Sequence, residues 1–159
     1  MNRFSIAALC AIGCVAPVIF GGDAAKEAKL LDGKWVPLSA ELAGRPFPDD
    51  VLKTIKLTIN GNKYTVVVGD QTDRGRLDIN PARKPKTMDV VGTEGPNKDK
   101  TFPAIYEADK QMLRICYDLD GQQRPTEFKT KEGTKQFLVT YKRAKQAAHS
   151  RPRRANAKR

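Results

Sequence analysis

The sequence predicts an all-β protein, an antiparallel up-and-down barrel of about eight strands. Apolar and polar residues alternate within short segments, and clusters of Gly, Asn, Asp and Pro separate these segments about every ten residues. Helix signals are scarce, since only 24–31 and 48–53 are expected to be helical and neither is long enough to organise a fold. Consecutive strands joined by short turns pair with each other, and closing the resulting meander removes its exposed edges.

The strands are predicted from the period-2 pattern and from the turns between them. Ile55, Leu57 and Ile59 fall on one face of the second strand, and Asn60-Gly61 then forms a tight hairpin turn. The predicted strands are 34–42, 54–60, 63–69, 73–79, 86–91, 102–108, 111–118, 126–129 and 135–143.

The first strand contains a conflict. Strict alternation puts Trp35 on the face opposite to Val36 and Leu38, although all three side chains are large and apolar. A regular strand cannot turn both sets to the interior. We therefore expect a β-bulge near Pro37.

The chain is expected to divide into a signal peptide (1–24), a barrel domain (25–143) and a disordered basic tail (144–159). A short positive start is followed by an apolar run, 4–20, which is too short for a confident membrane span. Gly22 and Ala24 then match the small-x-small pattern of a cleavage site before Ala25. The protein is thus predicted to be exported to the periplasm or the cell exterior. A lipid-modified cysteine, Cys10 or Cys14, and an uncleaved anchor are the alternatives.

The charge is concentrated at the C-terminus. The formal net charge is +11, of which the tail carries +6 with no acidic residue, while Arg3 and Asp23 cancel in the signal and the barrel domain keeps +5. A polybasic arm outside the inner membrane is expected to meet anionic lipid or envelope polymer, or else to act only as a solubilising tail. It contains no aromatic residue to stack on bases, which argues against specific nucleic-acid recognition.

The residue types argue against most catalytic sites. The only histidine, His149, lies in the tail, so the barrel domain has no imidazole for a Ser-His-Asp triad or a histidine-rich zinc site. Without the signal, Cys116 is the only cysteine and is expected to be a buried small hydrophobe. Its neighbour Arg114 is expected to share its outer face. No metal and no cofactor are predicted, and Asp118-x-Asp120-Gly121 is interpreted as a hairpin turn.

A set of short motifs resembles a known family. The segment Leu31-Asp32-Gly33-Lys34-Trp35 is similar to the Gly-x-Trp signature that opens lipocalin-like barrels. Together with further segments, it resembles a family of small exported lipocalin-like domains that is abundant in planctomycete bacteria and has no assigned biochemical function. The further segments are 84–89, 93–96, 105–107, 113–116 and 124–128.

The resemblance implies how the barrel is closed. In lipocalins the signature tryptophan sits at the closed end under an arginine from the last strand, and Gly33, Trp35 and Arg143 are the matching positions. The resemblance supplies no substrate. A domain of 25–143 is shorter than most lipocalins, which argues against a large ligand cup.

The function predicted from these observations is that of a non-enzymatic binding or interaction module. A ligand would be small and partly apolar, because an eight-stranded barrel has room for side chains or one small molecule. Tyr64, Tyr106 and Phe137 are the expected walls, unless the three rings are ordinary core. The alternatives are an envelope-associated structural or inhibitory partner of other proteins and a small exported enzyme that uses carboxylates, such as Asp49 with Asp50 or Glu94 with Asp99.

Export with cleavage after Ala24 is directly testable. We expect the mature protein to begin at Ala25, because the apolar run and its small-residue exit form a signal-peptidase substrate. N-terminal sequencing of the protein from the secreting host is the measurement. An intact Met1 on extracytoplasmic protein would contradict cleavage, and a diacylglyceryl group on Cys14 would establish the lipoprotein alternative.

Overall fold

The chain forms two helices and nine strands between residues 21 and 145, the part that the computed structural model describes. The elements are α1 Gly21–Leu31, β1 Gly33–Leu42, β2 Arg45–Pro46, α2 Asp49–Thr54, β3 Ile55–Asn60, β4 Lys63–Val68, β5 Gln71–Asn80, β6 Lys86–Glu94, β7 Thr101–Ala108, β8 Met112–Asp118 and β9 Gln136–Arg143.

Eight of these strands close into an antiparallel barrel. From β3 to β9 each strand pairs with the next along the chain, β1 pairs with β3 on one side, and β1 also pairs with β9 to close the ring. The short β2 forms a hairpin with the end of β1 outside the ring. The predicted up-and-down barrel of about eight strands is therefore confirmed. Both helices also form where they were expected, although α1 begins earlier, at Gly21.

One predicted strand is wrong. Residues 126–129 form no strand and belong to the segment 119–135, which we call the strap, between β8 and β9. The strap crosses the outer face of the barrel, where Arg124 donates hydrogen bonds to the carbonyls of Met88 and Ala104 at 2.7 and 2.6 Å. Its apolar residues thus pack on the outside of the sheet. The alternating pattern of 126–129 predicted a strand, but a strand also needs a neighbouring strand to pair with, and within residues 21–145 this segment has none.

The interior divides into two halves. The closed half lies where β1 begins and β9 ends, and the open half lies at the other ends of the same strands. Inward-facing residues of the eight barrel strands form one core, which is as expected for alternating patterns. Its most buried large members are Leu31, Trp35, Ile59, Met88, Tyr106, Leu113 and Val139.

The expected β-bulge is present in β1. The register with β9 shifts between Pro37 and Ser39, so that Leu38 is the extra residue. Trp35 before the bulge and Ala40 after it are both buried, whereas Leu38 is 46% exposed. The bulge therefore keeps the inward-facing side chains inside on both sides of Pro37.

Trp35 and Arg143 are direct partners across the β1–β9 seam, so their side chains leave the same face of the sheet. The indole is completely buried, and the guanidinium carbon of Arg143 lies 4.1 Å from the ring centroid. The indole Nε1 donates a hydrogen bond of 2.8 Å to the carbonyl of Leu31, at the end of α1. A cation on an aromatic face stabilises by about 0.5 to 2 kcal/mol, the upper value applying to desolvated pairs.

The same guanidinium binds three backbone carbonyls. Nη1 and Nη2 donate to Asp32 and Leu30, and Nε donates to Lys110 at 2.7 Å. The last carbonyls of a helix lack partners within it and favour a positive charge. Arg143 therefore joins the C-terminal end of α1 and the β7–β8 turn to the last strand, and we call this contact set the closing clamp.

Gly33 leaves room for the closing clamp. Its φ of +130° belongs to a region that side chains rarely adopt, and a Cβ at this position would lie 2.5 Å from Nη1 of Arg143. The neighbouring Asp32 carboxylate accepts a 2.6 Å hydrogen bond from the backbone N–H of Gly61, in the β3–β4 turn. Asp32, Gly33 and Trp35 thus each have a contact at the closed end.

The domain boundaries predicted from sequence, after Ala24 and after Arg143, lie a few residues inside the ends of the described chain. Residues 1–20 and 146–159 are outside it, and α1 runs without interruption through the expected cut after Ala24. No helix in the described range is long and apolar enough to cross a membrane.

The closing clamp should dominate the stability of the barrel. We expect Trp35→Ala to lower the free energy of unfolding by about 3 to 5 kcal/mol, because it empties the space of a large buried aromatic. Gly33→Ala should also destabilise, by about 1 to 3 kcal/mol, because it adds backbone strain and displaces Arg143. Urea unfolding followed by circular dichroism measures both.

The matched control for these variants is Lys34→Ala, at the exposed position between them. Its effect should stay within about 0.5 kcal/mol, as for most surface substitutions. A loss below about 1 kcal/mol for Trp35→Ala would contradict a dominant contribution of the closing clamp to stability.

Candidate functional site

A cavity of about 90 Å³ lies in the open half of the barrel. This volume is that of about three water molecules at about 30 Å³ each, so side chains fill most of the interior. Its wall is formed by the apolar residues Leu57, Ile59, Val66, Leu77, Val90, Ile115 and Leu119, the aromatic residues Tyr64, Phe102, Tyr117 and Tyr141, and the polar residues Asp73 and Asn97.

Asp73 is the one carboxylate among these wall residues. It occupies an inward position of β5 and is 7% exposed. One carboxylate oxygen accepts a hydrogen bond from the Tyr64 hydroxyl at 2.9 Å, and the other accepts from the backbone N–H of Asn97 at 2.9 Å. Burial, and after it the hydrogen bond to Asp73, raises the pKa of Tyr64, so its hydroxyl stays a donor at neutral pH.

The glycine opposite Tyr64 leaves room for the tyrosine ring to lie against the sheet. Tyr64 and Gly75 are direct partners in the β4–β5 pairing, and a Cβ on Gly75 would lie 2.6 Å from the Tyr64 ring. The absence of a side chain at Gly75 therefore allows the ring to lie over the strand and to direct its hydroxyl towards Asp73. An aromatic ring over a cross-strand glycine is a known way to compensate for the missing side chain.

The turn between β6 and β7 covers one side of the cavity. Asn97 reaches the wall because the turn packs tightly on β5 and β6, where a Cβ on Gly92 would lie 1.9 Å from the Asn97 carbonyl oxygen. Gly95 has a φ of +88° and approaches the Thr72 carbonyl in the same way. These two glycines allow the close approach that brings the Asn97 backbone N–H onto Asp73.

Only one of the three predicted wall residues lines the cavity. Tyr64 does so, whereas Tyr106 lies in the closed half, 1% exposed, where it is ordinary core. The Tyr106 hydroxyl is buried beside Glu27 without a well-formed hydrogen bond to any described residue, and burial followed by the Glu27 charge raises its pKa. Phe137 stands behind the wall, with its ring centroid 5.3 Å from that of Tyr117.

Asp73 was not among the predicted site residues, although the alternation in β5 contains a signal for it. The sequence pattern assigns Leu77 and Ile79 to the inner face, and the same period extends to Gly75 and Asp73. A carboxylate in an inward register is an exception to barrel patterning, and such an exception is itself a signal of function.

The carboxylate pairs considered for catalysis do not meet in this cavity. Asp49 and Asp50 are exposed in α2, and Glu94 is exposed with an ion pair to Arg74 at 2.8 Å. Asp99 is exposed in the β6–β7 turn. These four residues are therefore solvated surface acids.

A second pair of acids, which was not predicted from the sequence, lies in a groove on the outer surface. Asp78 and Asp89 are direct partners in the β5–β6 pairing and line an open groove of about 1060 Å³. Asp78 accepts from Arg76 at 3.1 Å and Asp89 accepts from Arg124 of the strap. Two like charges directly across a sheet repel each other, and the arginine partners offset that repulsion.

The strap covers Cys116 on the outer face of β8. The thiol is completely buried and donates to the Lys129 carbonyl at 3.6 Å, and burial raises its pKa. Arg114 shares this outer face, where its guanidinium stacks on Phe128 at 4.9 Å. The expectation that Cys116 is a buried strand cysteine is confirmed, and Arg114 lies on the outer face as expected, where it packs against the strap.

The acidic segment after β8 forms a turn, but it is not the expected hairpin turn, because the strap and not a strand follows it. The Asp118 carboxylate accepts backbone hydrogen bonds from Asp120, Gln122 and Gln123, at 3.2, 3.0 and 2.9 Å. Although burial alone would raise the pKa of Asp118, these bonds lower it below its ordinary value. Across residues 21–145, no group of three or more His, Cys, Asp or Glu side chains is placed to hold a metal ion.

Comparisons with protein-family models, with curated proteins and with solved structures gave no match.

Proposed function

We propose that this protein is a non-catalytic binding module that holds a small, partly apolar molecule in the open half of its barrel. The observation that carries the proposal is the cavity itself, whose wall is apolar and aromatic except for the convergent polar groups of Asp73 and Asn97. Sites for small molecules have this composition, in which apolar walls provide affinity and a few polar groups fix orientation.

The same wall is a poor basis for proton-transfer catalysis. General acid–base catalysis needs groups that change protonation near the working pH. The groups that accompany Asp73 in the cavity are phenols, and burial raises the pKa of Tyr117 and Tyr141 further above the neutral range. This supports binding over the alternative of a carboxylate enzyme.

The open end of the barrel also suits contact with a larger partner, which is the second candidate. Val51, Val68 and Leu119 are exposed large apolar residues, and all three lie in elements that begin or end at the open end. Leu119 also lines the cavity. A partner that covers this rim would bury apolar surface around the cavity mouth, which accords with a structural or inhibitory role in the envelope.

The proposed setting is the cell envelope, and the proposed kinship is with the exported lipocalin-like domains. The kinship is supported by the way Gly33, Trp35 and Arg143 come together in the closing clamp, since this is the arrangement the resemblance implies. Export is supported by the sequence of 1–24 alone.

Binding in the cavity is tested with a matched pair of variants on β4. We expect small partly apolar molecules to raise the melting temperature of the full chain, and Val66→Ile to weaken their binding about tenfold, because the added methylene takes space in the cavity wall. Val67→Ile adds the same group on the outer face of the same strand and should leave binding unchanged. Thermal shift and NMR titration provide the measurements.

Two outcomes would contradict the small-molecule proposal. In the first, no member of a panel of small alcohols, amines and ketones stabilises the wild-type chain. In the second, Val66→Ile and Val67→Ile change the affinity for these molecules equally. Either result would make the cavity only a packing defect of the core.

The basic tail is proposed to tether the barrel weakly to anionic lipid or polymer of the envelope. Residues 144–159 supply six basic side chains and no acidic one, and each basic residue near an anionic surface contributes about 1 kcal/mol at most. Full-length protein should bind isolated envelopes at low salt and be released as salt rises, because such attraction is screened. A protein truncated after Arg143 should not be retained on the envelopes at any salt concentration. Equal retention of both proteins at every salt concentration would leave the tail without a binding role.

A further inference from the structure

We propose that the cavity is specific for an organic cation, namely a small alkylammonium group, with Asp73 as its counter-ion. This inference rests on the proposed binding function and narrows the class of ligand. It is carried by the charge of Asp73, by the lack of an ion pair to Asp73 within residues 21–145, and by the aromatic rings around it.

Asp73 is a buried carboxylate that receives only neutral donors. Its two observed partners are the Tyr64 hydroxyl and the Asn97 backbone N–H. Within residues 21–145 it forms no ion pair, whereas Glu94 and Asp120, two other acids at the open end, do. A carboxylate offers about four acceptor positions, so about two remain for a ligand that enters the cavity.

The basic residues closest in sequence to Asp73 and to the open end are engaged elsewhere. Arg74 pairs with Glu94 at 2.8 Å on the outer face of β5, and Lys135 pairs with Asp120 at 2.8 Å beside the β8 end. Burying a charge without a counter-charge is costly, and a cation in the cavity would remove that cost. The protein therefore carries, in its free form, an electrostatic cost that a cationic ligand would reduce.

The contrast with Asp118 shows that Asp73 is not simply another buried turn acid. Asp118 accepts from three backbone N–H groups and lies next to Lys135, whose charge further lowers its pKa. Asp73 is the first buried residue of the inward-facing row of β5 and lines a cavity. A structural role in holding the Asn97 turn requires only a neutral acceptor, which an asparagine side chain also provides.

The rest of the cavity wall suits a cation with apolar surface. Tyr64, Phe102, Tyr117 and Tyr141 contribute four rings, and the Phe102 and Tyr117 centroids are 6.3 Å apart. Aromatic faces attract cations, and rings grouped around an ammonium are the usual means of recognising methylated amines. A strongly hydrated inorganic ion would gain nothing from the apolar wall, so a methylated or alkylated ammonium is favoured.

The size of the cavity limits the ligand to a head group. A volume of about 90 Å³ admits a compact group such as tetramethylammonium but no extended molecule. Any longer chain attached to the head group would leave the cavity past Leu119, which lines the wall and is 36% exposed.

The test compares two compact probes of similar size, tetramethylammonium and neutral tert-butanol, by NMR titration of the full chain. We expect tetramethylammonium to bind the wild-type protein at least tenfold more tightly than tert-butanol. Asp73→Asn should reduce this preference to within about twofold. Asp78→Asn removes the same charge from the outer face of β5 and should keep the preference.

The possible outcomes separate the cation assignment from the binding function. Equal binding of both probes, or an unchanged preference in Asp73→Asn, overturns the assignment of an organic cation and leaves the binding module standing. Binding of neither probe also overturns the cation assignment, and the panel of small alcohols, amines and ketones then decides on the binding function. If Asp73→Asn does not fold, Phe102→Leu replaces it: loss of a ring should weaken tetramethylammonium more than tert-butanol, and equal weakening overturns the cation assignment.

Discussion

The guanidinium of Arg143 connects the barrel's closing seam to the helix that caps it. It lies on the Trp35 ring and binds carbonyls at the end of α1 and in the β7–β8 turn, so a single side chain satisfies groups from separate parts of the chain. The seam hydrogen bonds between β1 and β9 and the docking of α1 meet at this point. Because the closed half is sealed in this way, accessible space inside the barrel is confined to the other half, where the cavity lies.

The open half follows a different rule from the closed half. In the closed half, Trp35 and Tyr106 fill the interior with apolar volume, and the polar atom of the indole is satisfied by α1. In the open half, Asp73 places a carboxylate where alternation calls for an apolar residue, and two glycine-dependent close approaches supply its donors. Stability is thus concentrated at one end, and the other end keeps a polar group that a solid core would not need.

The predictability of each feature depended on the range of the interactions that create it. Strands such as β3, with Ile55, Leu57 and Ile59 inside, follow from local alternation, and the bulge at Leu38 follows from a local conflict in that pattern. The strap could not be predicted, because its position depends on Arg124 reaching carbonyls of two distant strands. Asp73 was visible in the pattern, but its partner Asn97 comes from a turn whose fold is set by glycine contacts. Tyr106, which was expected to be a wall residue, does not line the cavity, because sequence does not say which half of a barrel stays open.

The closing clamp has a consequence for how the chain acquires its structure. The hydrogen bond between Arg143 and Asp32 joins residues 111 positions apart, and the β1–β9 pairing spans a similar separation. Non-local pairings of this kind require loop-closure entropy to be lost before contacts compensate for it, which slows folding. During synthesis from the N-terminus, β1 and Trp35 emerge long before their partners. The ring therefore closes only when the last strand is free to pair, and until then β1 presents an unpaired edge together with the most buried ring of the native protein.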